Sequence, residues 1–222
     1  DIKNNYLLPG FIDPHVHFRD PGLTQKEDFK TGSESAANGG FTTIIDMPNT
    51  LPKTNTYNAL KEKIKIAESK SVVNFELQAG HNNYEEMKKM LELKPVSFKI
   101  FMDLESDENL AKIFSALGTL NNDTDYNGLV STHCQKKSIV EVKTNELKQK
   151  EENKAIDYSY ARPAESEDES VKQALKLAKE NNLHLHICHL SSIKSLNLAK
   201  DAKTQDVISR SEERRVGKEC RS

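Results

Sequence analysis

The chain has 222 residues, of which 36% are hydrophobic and 30% are charged, and its formal net charge is −2. A chain of this length can bury a substantial core in one or two domains. The near-neutral charge argues against nucleic-acid binding, and no run approaches the roughly 18 apolar residues that a membrane span needs. Three cysteines without paired spacing favour a reducing, cytoplasmic compartment. We therefore expect a globular protein with no nucleic-acid or membrane partner.

Hydrophobic runs of strand length alternate with helical patterns along the chain. The predicted strands are residues 7–12, 41–47, 72–79, 96–102, 128–133 and 183–189. Between them, polar segments with apolar residues three or four positions apart predict helices, such as residues 58–69, 84–93 and 167–181.

Repeated βα units predict an α/β fold with a parallel sheet. About six units, and the start of a seventh strand at residues 206–208, favour a TIM-type (β/α)8 barrel that is incomplete, with strands seven and eight missing. A doubly wound open sheet would also explain the alternation, but no GxGxxG follows the first strand. The long connection at residues 135–165 contains a charged helical stretch, residues 138–153. In barrel enzymes such loops build the active-site face, so we expect a lid or substrate wall here.

The composition changes abruptly after Ser209. Residues 1–209 contain 25 Lys and only two Arg, whereas the last 13 residues contain four Arg, one Lys and three Glu without apolar periodicity. We interpret residues 210–222 as a non-native tail, the translation of a sequencing adapter, and residues 1–209 as a partial barrel domain. A disordered basic tail is the alternative.

Four histidines and a lysine lie at or near the ends of predicted strands. His15 and His17 follow the first strand, Lys99 lies in the fourth, and His133 and His189 end the fifth and the sixth. The carboxyl ends of barrel strands carry the chemistry of this fold. Imidazole is a common zinc ligand, and an uncharged buried lysine can react with carbon dioxide to give a carbamate that bridges two ions. This set predicts a metal centre. The other histidines are predicted to be structural: His81, His184 and His186.

Five segments, GFIDPHVHFRDPG, IIDMPNT, FKIFM, STHC and HICHLSS, follow one another in the order found in a known family. They resemble the metal-dependent cyclic amidohydrolases, and within them the dihydroorotases, across residues 1–209. The resemblance implies two Zn2+ ions bridged by carboxylated Lys99. His15 and His17 would bind the more buried ion. His133 and His189 would bind the second ion. Gln135 departs from the family pattern, which often has an acidic residue there, and this puts a supporting contact in doubt.

The resemblance also implies a substrate that carries a carboxylate, held by Arg19 and Asn49. One of only two Arg residues before the tail lies within the motif, and Arg binds a carboxylate in a bidentate manner that Lys does not match. Asn49 could instead serve only the turn after its strand.

The implied activity is the reversible cyclisation of N-carbamoyl-L-aspartate to dihydroorotate, by a hydroxide activated between two metal ions, in de novo pyrimidine biosynthesis. The family's acid/base is an Asp at the end of strand eight, which this chain lacks. No catalytic acid/base residue is therefore assigned, and the 222-residue chain is expected to be an inactive, truncated piece. For the full-length protein, a homodimer is considered.

Two other functions stay open. One is another cyclic amidohydrolase of the allantoinase or hydantoinase type, which would act on an uncharged ring. The other is a non-catalytic dihydroorotase-like scaffold, against which the intact set of ligands argues.

Overall fold

The computed structural model describes Lys3 and residues 6–150, 154–204 and 209–213. The strands are β1 (Phe11–Val16), β2 (Phe41–Asp46), β3 (Asn74–Leu77), β4 (Ala79–Gly80), β5 (Phe98–Phe101), β6 (Leu129–His133), β7 (His184–Leu190) and β8 (Ser209–Glu213). The helices are α1 (Phe29–Asn38), α2 (Tyr57–Lys70), α3 (Tyr84–Met90), α4 (Asp107–Asp123), α5 (Lys137–Gln149), α6 (Ala155–Tyr160), α7 (Ala164–Glu180) and α8 (Ile193–Thr204). Two 3-10 turns cover Leu91–Leu93 and Met102–Leu104.

The chain divides into two compact units. The first contains Asp1–Asn82 and Lys89–Val96, and the second contains Asn83–Lys88 and Ser97–Ser222. Each unit has the α/β organisation with parallel strands that the sequence predicts. Among the described helices, none combines the length and the apolar character required to cross a membrane.

The first unit is built on a parallel sheet in the order β1-β2-β3. Helix α1 begins after Asp28 and helix α2 after Thr56, and each of these side chains accepts a hydrogen bond from a backbone N–H of the first turn. Phe29 of α1 is fully buried, and its ring meets that of Phe18 edge-on with centroids 5.5 Å apart. Helix α1 therefore packs against the segment that follows β1.

In the second unit, strands β5, β6, β7 and β8 lie side by side in that order and run parallel. The register places Lys99 of β5 beside Ser131 of β6, which lies beside His186 of β7. Because β6 and β7 run parallel, their carboxyl ends lie at the same edge of the sheet, and His133 and His189 both lie near that edge. The buried apolar strand residues include Phe98, Ile100, Val130, Leu185 and Ile187.

The first strand begins later than the sequence predicts. Residues 7–12 were expected, whereas β1 covers Phe11–Val16 and its pairing starts where Phe11 lies opposite Phe41. Leu7 and Leu8 are 81% and 65% exposed, so their side chains do not contribute to the described core. Pro9 has no N–H to donate, and the following glycine weakens an extended segment, which explains the late start.

The structure contains a short strand, β8, at the position of the seventh barrel strand, which the sequence analysis expected to be missing. Strand β8 runs parallel to β7 and includes the first four residues of the predicted tail, whereas residues 206–208 lie outside the described residues. Strand pairing uses backbone groups that every sequence carries, so it does not depend on native side chains. The strand count thus differs here from the prediction. The non-native origin of residues 210–222 stays a prediction.

The connection at residues 135–165 is more helical than predicted. The expected stretch at residues 138–153 corresponds to α5, which ends at Gln149, and residues 151–153 lie outside the described part. A further helix, α6, follows. Arg162 lies over the ring of Tyr158, with its guanidinium carbon 3.7 Å from the ring centroid, and this stacking orders the end of the connection. A role as a lid stays a prediction.

Candidate metal centre

A pair of imidazoles marks the carboxyl end of β1 in the first unit. His15 lies in the strand and His17 directly after it, and their Nε2 atoms are 3.0 Å apart. Two nitrogens that bind one tetrahedral zinc ion at about 2.0–2.1 Å lie roughly 3.3 Å from each other. The two rings therefore need only a small opening to share one ion. The carboxylate of Asp13 supports the strand here by accepting a hydrogen bond from the backbone N–H of His15 at 3.0 Å.

Asn49 links this histidine pair to Arg19. The Nδ1 atom of His17 lies 2.7 Å from Asn49 Oδ1, and Arg19 Nη1 donates to the backbone oxygen of Asn49 at 3.3 Å. In the tautomer with a proton on Nδ1, the ring donates to the amide oxygen and leaves Nε2 for a metal. The structure thus brings both predicted substrate residues beside the first pair of predicted ligands.

The turn formed by residues 19–22 docks on the segment that follows β2. Leu51 donates from its backbone N–H to Pro21 O at 3.1 Å. Gly22 has φ of 86°, and a Cβ added there would lie 1.9 Å from Leu51 O, so the position requires glycine. Asp20 is tied down as well, because its carboxylate lies 2.7 Å from Lys70 Nζ. Arg19 is therefore presented by a turn that is fixed on both sides.

A buried ion pair joins the ends of β1 and β2. Lys63 Nζ lies 2.6 Å from Asp46 Oδ2 and donates to Met47 O at 2.6 Å, and the side chains of Lys63 and Asp46 are both fully buried. The other Asp46 oxygen accepts a hydrogen bond from the backbone N–H of Phe18, the residue after His17, at 2.8 Å. Burial raises the pKa of the Asp46 carboxyl, and the ammonium of Lys63 opposes that shift. This pair aligns the segments that carry His17 and Asn49.

The second pair of imidazoles lies in the second unit, at the ends of β6 and β7. His133 Nδ1 and His189 Nε2 are 2.8 Å apart. The other ring nitrogen of His133 faces a carboxylate, with Nε2 4.0 Å from Asp103 Oδ1. Metal-binding histidines commonly direct their second nitrogen towards a carboxylate. His189 has φ of 41°, a left-handed conformation that residues other than glycine rarely adopt.

Lys99 of β5 is buried within the same unit as this pair, with only 1% of its surface exposed. Its Nζ donates to Cys188 Sγ at 2.7 Å and lies 5.3 Å from the centroid of the Phe101 ring. Burial raises the pKa of the neighbouring Cys134 thiol to about 12 and keeps this thiol protonated.

The predicted ligands thus form two pairs, each within its own unit. His15 and His17 constitute one, His133 and His189 the other, and Lys99 belongs to the second unit. In the part of the chain that the structure describes, no three His, Cys, Asp or Glu side chains form a cluster that could hold an ion. Each pair nevertheless offers two imidazole nitrogens at nearly the spacing that one ion requires, so the chemistry of these side chains fits a divalent metal.

Comparison with known proteins gives the family. The amidohydrolase family model matches residues 6–219, nearly the whole chain. The chain belongs to the amidohydrolase family. Among its curated relatives, a dihydroorotase of Methanosphaera stadtmanae is 45% identical and aligned over 94% of the chain, and a dihydroorotase of Methanothermobacter thermautotrophicus is 43% identical over 90%. The alignments cover 48% and 45% of those proteins, so the chain spans about half their length.

A solved structure supports the same conclusion for the fold. The L-hydantoinase from Arthrobacter aurescens matches with a TM-score of 0.84 and 31% sequence identity, over 92% of this chain and 47% of that one. With the parallel βα units, this likeness confirms the predicted fold class, a partial TIM-type barrel of the amidohydrolase type.

Several supporting residues of this amidohydrolase could not be found from the sequence. Period-two alternation places Cys188 and His189 on opposite faces of a strand, and the left-handed conformation of His189 is not readable from the residue type. Lys63 resembled the other lysines of a solvated helix, and only its apolar neighbours Ile64 and Ile66 hint at burial. Gln135, noted as a departure, has a buried Oε1 atom for which the described residues provide no hydrogen-bond partner.

Proposed function

We propose that this amidohydrolase chain is part of a dihydroorotase, which interconverts N-carbamoyl-L-aspartate and dihydroorotate in de novo pyrimidine biosynthesis in the cytoplasm. The observation that carries the proposal is the position of Arg19 and Asn49 directly beside the pair formed by His15 and His17. A guanidinium suited to a carboxylate, next to a pair of metal ligands, fits a cyclic substrate that bears an acid group. Relatives that are 45% and 43% identical carry the name dihydroorotase.

The proposed cofactor is a pair of Zn2+ or similar divalent ions. His15 and His17 would hold one ion, His133 and His189 would hold the other, and Lys99 would bridge them as a carbamate. The burial of Lys99 in the same unit as His133 and His189 supports this role. When bound, the two ions would polarise the amide carbonyl of the ring and activate water for attack on it.

The residues of the chain itself would bind and orient the substrate. Arg19 would hold the substrate carboxylate with two parallel hydrogen bonds, and the Asn49 amide would add a third contact. The turn that presents Arg19 is fixed by Pro21 and Gly22, so its backbone loses little conformational freedom on binding. A proton must also move between water and the ring nitrogen. The family resemblance assigns that step to an aspartate at the end of strand eight.

An activity assay of the complete gene product tests the proposal. Sequencing the gene beyond the codon for Ser209 would recover the complete reading frame, and the purified protein would be assayed with zinc against dihydroorotate, hydantoin and allantoin. We expect turnover of dihydroorotate and little or none of the two uncharged rings. Turnover of hydantoin or allantoin without dihydroorotate would replace the proposal with another cyclic amidohydrolase. Absence of any turnover by a zinc-loaded protein would favour a non-catalytic scaffold.

Replacing Arg19 by lysine in that complete protein tests the carboxylate contact. Lysine keeps the charge but loses the bidentate geometry, and a hydrogen bond between charged groups contributes about 1.5–3 kcal/mol. We predict that kcat/KM for dihydroorotate falls roughly 100-fold, the factor that corresponds to about 2.7 kcal/mol. The matched control is Arg162→Lys, the same change at the other arginine before the tail, which should alter kcat/KM by less than about threefold. Equal effects of the two changes would contradict the assignment of Arg19.

A further inference from the structure

Two carboxylates at the start of α7 hold the turn that follows β7. Glu167 accepts hydrogen bonds from the backbone N–H of Ser191 at 3.1 Å, from that of Ser192 at 2.8 Å, and from the Ser191 hydroxyl at 2.6 Å. Asp168 Oδ1 accepts from the hydroxyls of Ser192 at 2.6 Å and Ser195 at 2.8 Å. Ser192 Oγ in turn accepts hydrogen bonds from the backbone N–H groups of Lys194 and Ser195 in the first turn of α8, so the two carboxylates hold the cap of this helix.

This turn begins next to a predicted metal ligand in a rare backbone conformation. His189, two residues before Ser191, has φ of 41°. The pairing of β7 with β8 is irregular between Ile187 and Leu190, which places the distortion at the same point. A left-handed conformation at a residue with a side chain persists only where the surrounding structure imposes it. On the amino-terminal side the ladder of β7 with β6 holds the chain, and on the carboxyl-terminal side Glu167 does so.

We infer that Glu167 is a positioning residue for metal binding at His189. By fixing Ser191 and Ser192, its carboxylate sets the backbone of His189 so that Nε2 of this ring lies 2.8 Å from Nδ1 of His133. Without these hydrogen bonds, the turn relaxes towards ordinary extended backbone. The imidazole of His189 then no longer points its Nε2 towards Nδ1 of His133. The inference rests on the proposed metal centre, and it adds a residue 22 positions before the ligand that it orients.

Zinc binding tests the inference without any measurement of activity. The 222-residue chain with His15→Ala and His17→Ala serves as the background, so that binding reports on the pair in the second unit. Zn2+ is titrated calorimetrically into the metal-free background protein and into the same protein with Glu167→Gln. We expect the substitution to weaken zinc binding 10- to 100-fold, the usual effect of removing a group that orients a ligand. The matched control is Glu165→Gln, an exposed glutamate on the first turn of the same helix, which should change the affinity less than twofold.

A melting curve in chelator separates positioning from folding. We expect the metal-free Glu167→Gln protein to melt within a few degrees of the Glu165→Gln protein. Should it be unfolded, Glu167→Asp, which keeps the charge on a shorter side chain, is titrated instead and should give a smaller but measurable loss of affinity. The inference is overturned if the folded Gln or Asp variant binds zinc as tightly as the background protein does. It is also overturned if the loss of affinity is no larger than the unfolded fraction explains. A background protein that binds no zinc overturns the metal centre as well, whereas normal binding with no effect of Glu167 overturns the inference alone.

Discussion

At the scale of single residues, the fully buried ion pair of Lys63 and Asp46 links the two segments that carry His17 and Asn49. Both side chains are 0% exposed, and together they contact the backbone of Phe18 and Met47. Such a pair is weak evidence for stability by itself, because taking both charges out of water costs about as much as their attraction returns. Breaking it is a different matter, since one charge then stays buried without its partner.

Replacing Lys63 by methionine tests this reasoning. The Asp46 carboxyl keeps its burial but loses the opposing ammonium, so we predict a loss of about 3–5 kcal/mol in the free energy of unfolding. Urea unfolding of the 222-residue chain, followed by circular dichroism, measures the loss. The control is Lys65→Met, whose side chain is 61% exposed beside Glu62 and should contribute less than about 1 kcal/mol. Similar losses for the two variants would show that the pair does not hold the segments together.

At the scale of elements, several of the described helices begin where a side chain caps the first turn. Asp28, Thr56 and Ser106 precede α1, α2 and α4, and each accepts a hydrogen bond from the backbone N–H three residues later. At Asp28 the hydrogen bond from Thr31 N also lowers the pKa of the carboxyl below its ordinary value. The cap is therefore strongest when Asp28 is ionised.

Removing this cap gives a prediction with a defined pH dependence. Asp28→Ala should lower the free energy of unfolding by about 1 kcal/mol at pH 7. Because the folded-state pKa is lowered, the stabilisation is present above the ordinary aspartate pKa of about 4 and is lost as the pH falls through the folded-state value. Urea titrations at pH 7 and at acid pH measure both effects. Asp28→Asn keeps an accepting oxygen and should retain most of the stability, and a loss as large as that of alanine would contradict a capping role.

At the scale of the whole molecule, the chain spans about half the length of the curated relatives that it matches. Several apolar side chains at its start are also exposed, among them Tyr6 at 94% and Leu7 at 81%. Isolated apolar residues on a surface are ordinary, but neighbouring ones favour association. Activity and oligomeric state should therefore be measured on the complete gene product, for which a homodimer stays a prediction.

We predict that the 222-residue chain turns over dihydroorotate at least roughly 100-fold more slowly than the complete gene product. The reason is that the family resemblance assigns the acid/base role to an aspartate of strand eight, which is predicted to lie outside this chain, and such a group contributes about 100- to 10,000-fold in rate. Parallel assays at equal protein and zinc concentrations measure the ratio, and a chelator-treated sample of each protein gives the background. Turnover by the 222-residue chain equal to that of the complete protein would show that the chain already contains the acid/base.

Much of the fold follows from patterns that are local in the chain. The run at residues 41–47 predicts β2 almost to the residue, because β-branched and aromatic side chains are continuous there. The start of β1 was predicted wrongly, since hydrophobic character at Leu7 and Leu8 does not report whether a neighbouring strand is available to pair. Helix α6 was not predicted because its six residues lie in a polar connection without helical periodicity.

The sequence by itself determined the family, the parallel βα order and the residue types of the candidate metal centre, because these reside in short motifs and local periodicity. The roles of those residues stay predictions that the proposed experiments test. Only the tertiary structure decided which distant groups support them. The contacts of Lys99 with Cys188, of Lys63 with Asp46 and of Glu167 with Ser191 join residues 17 to 89 positions apart in the chain. Such contacts depend on how the strands and helices pack together, and no local pattern of side chains contains that information.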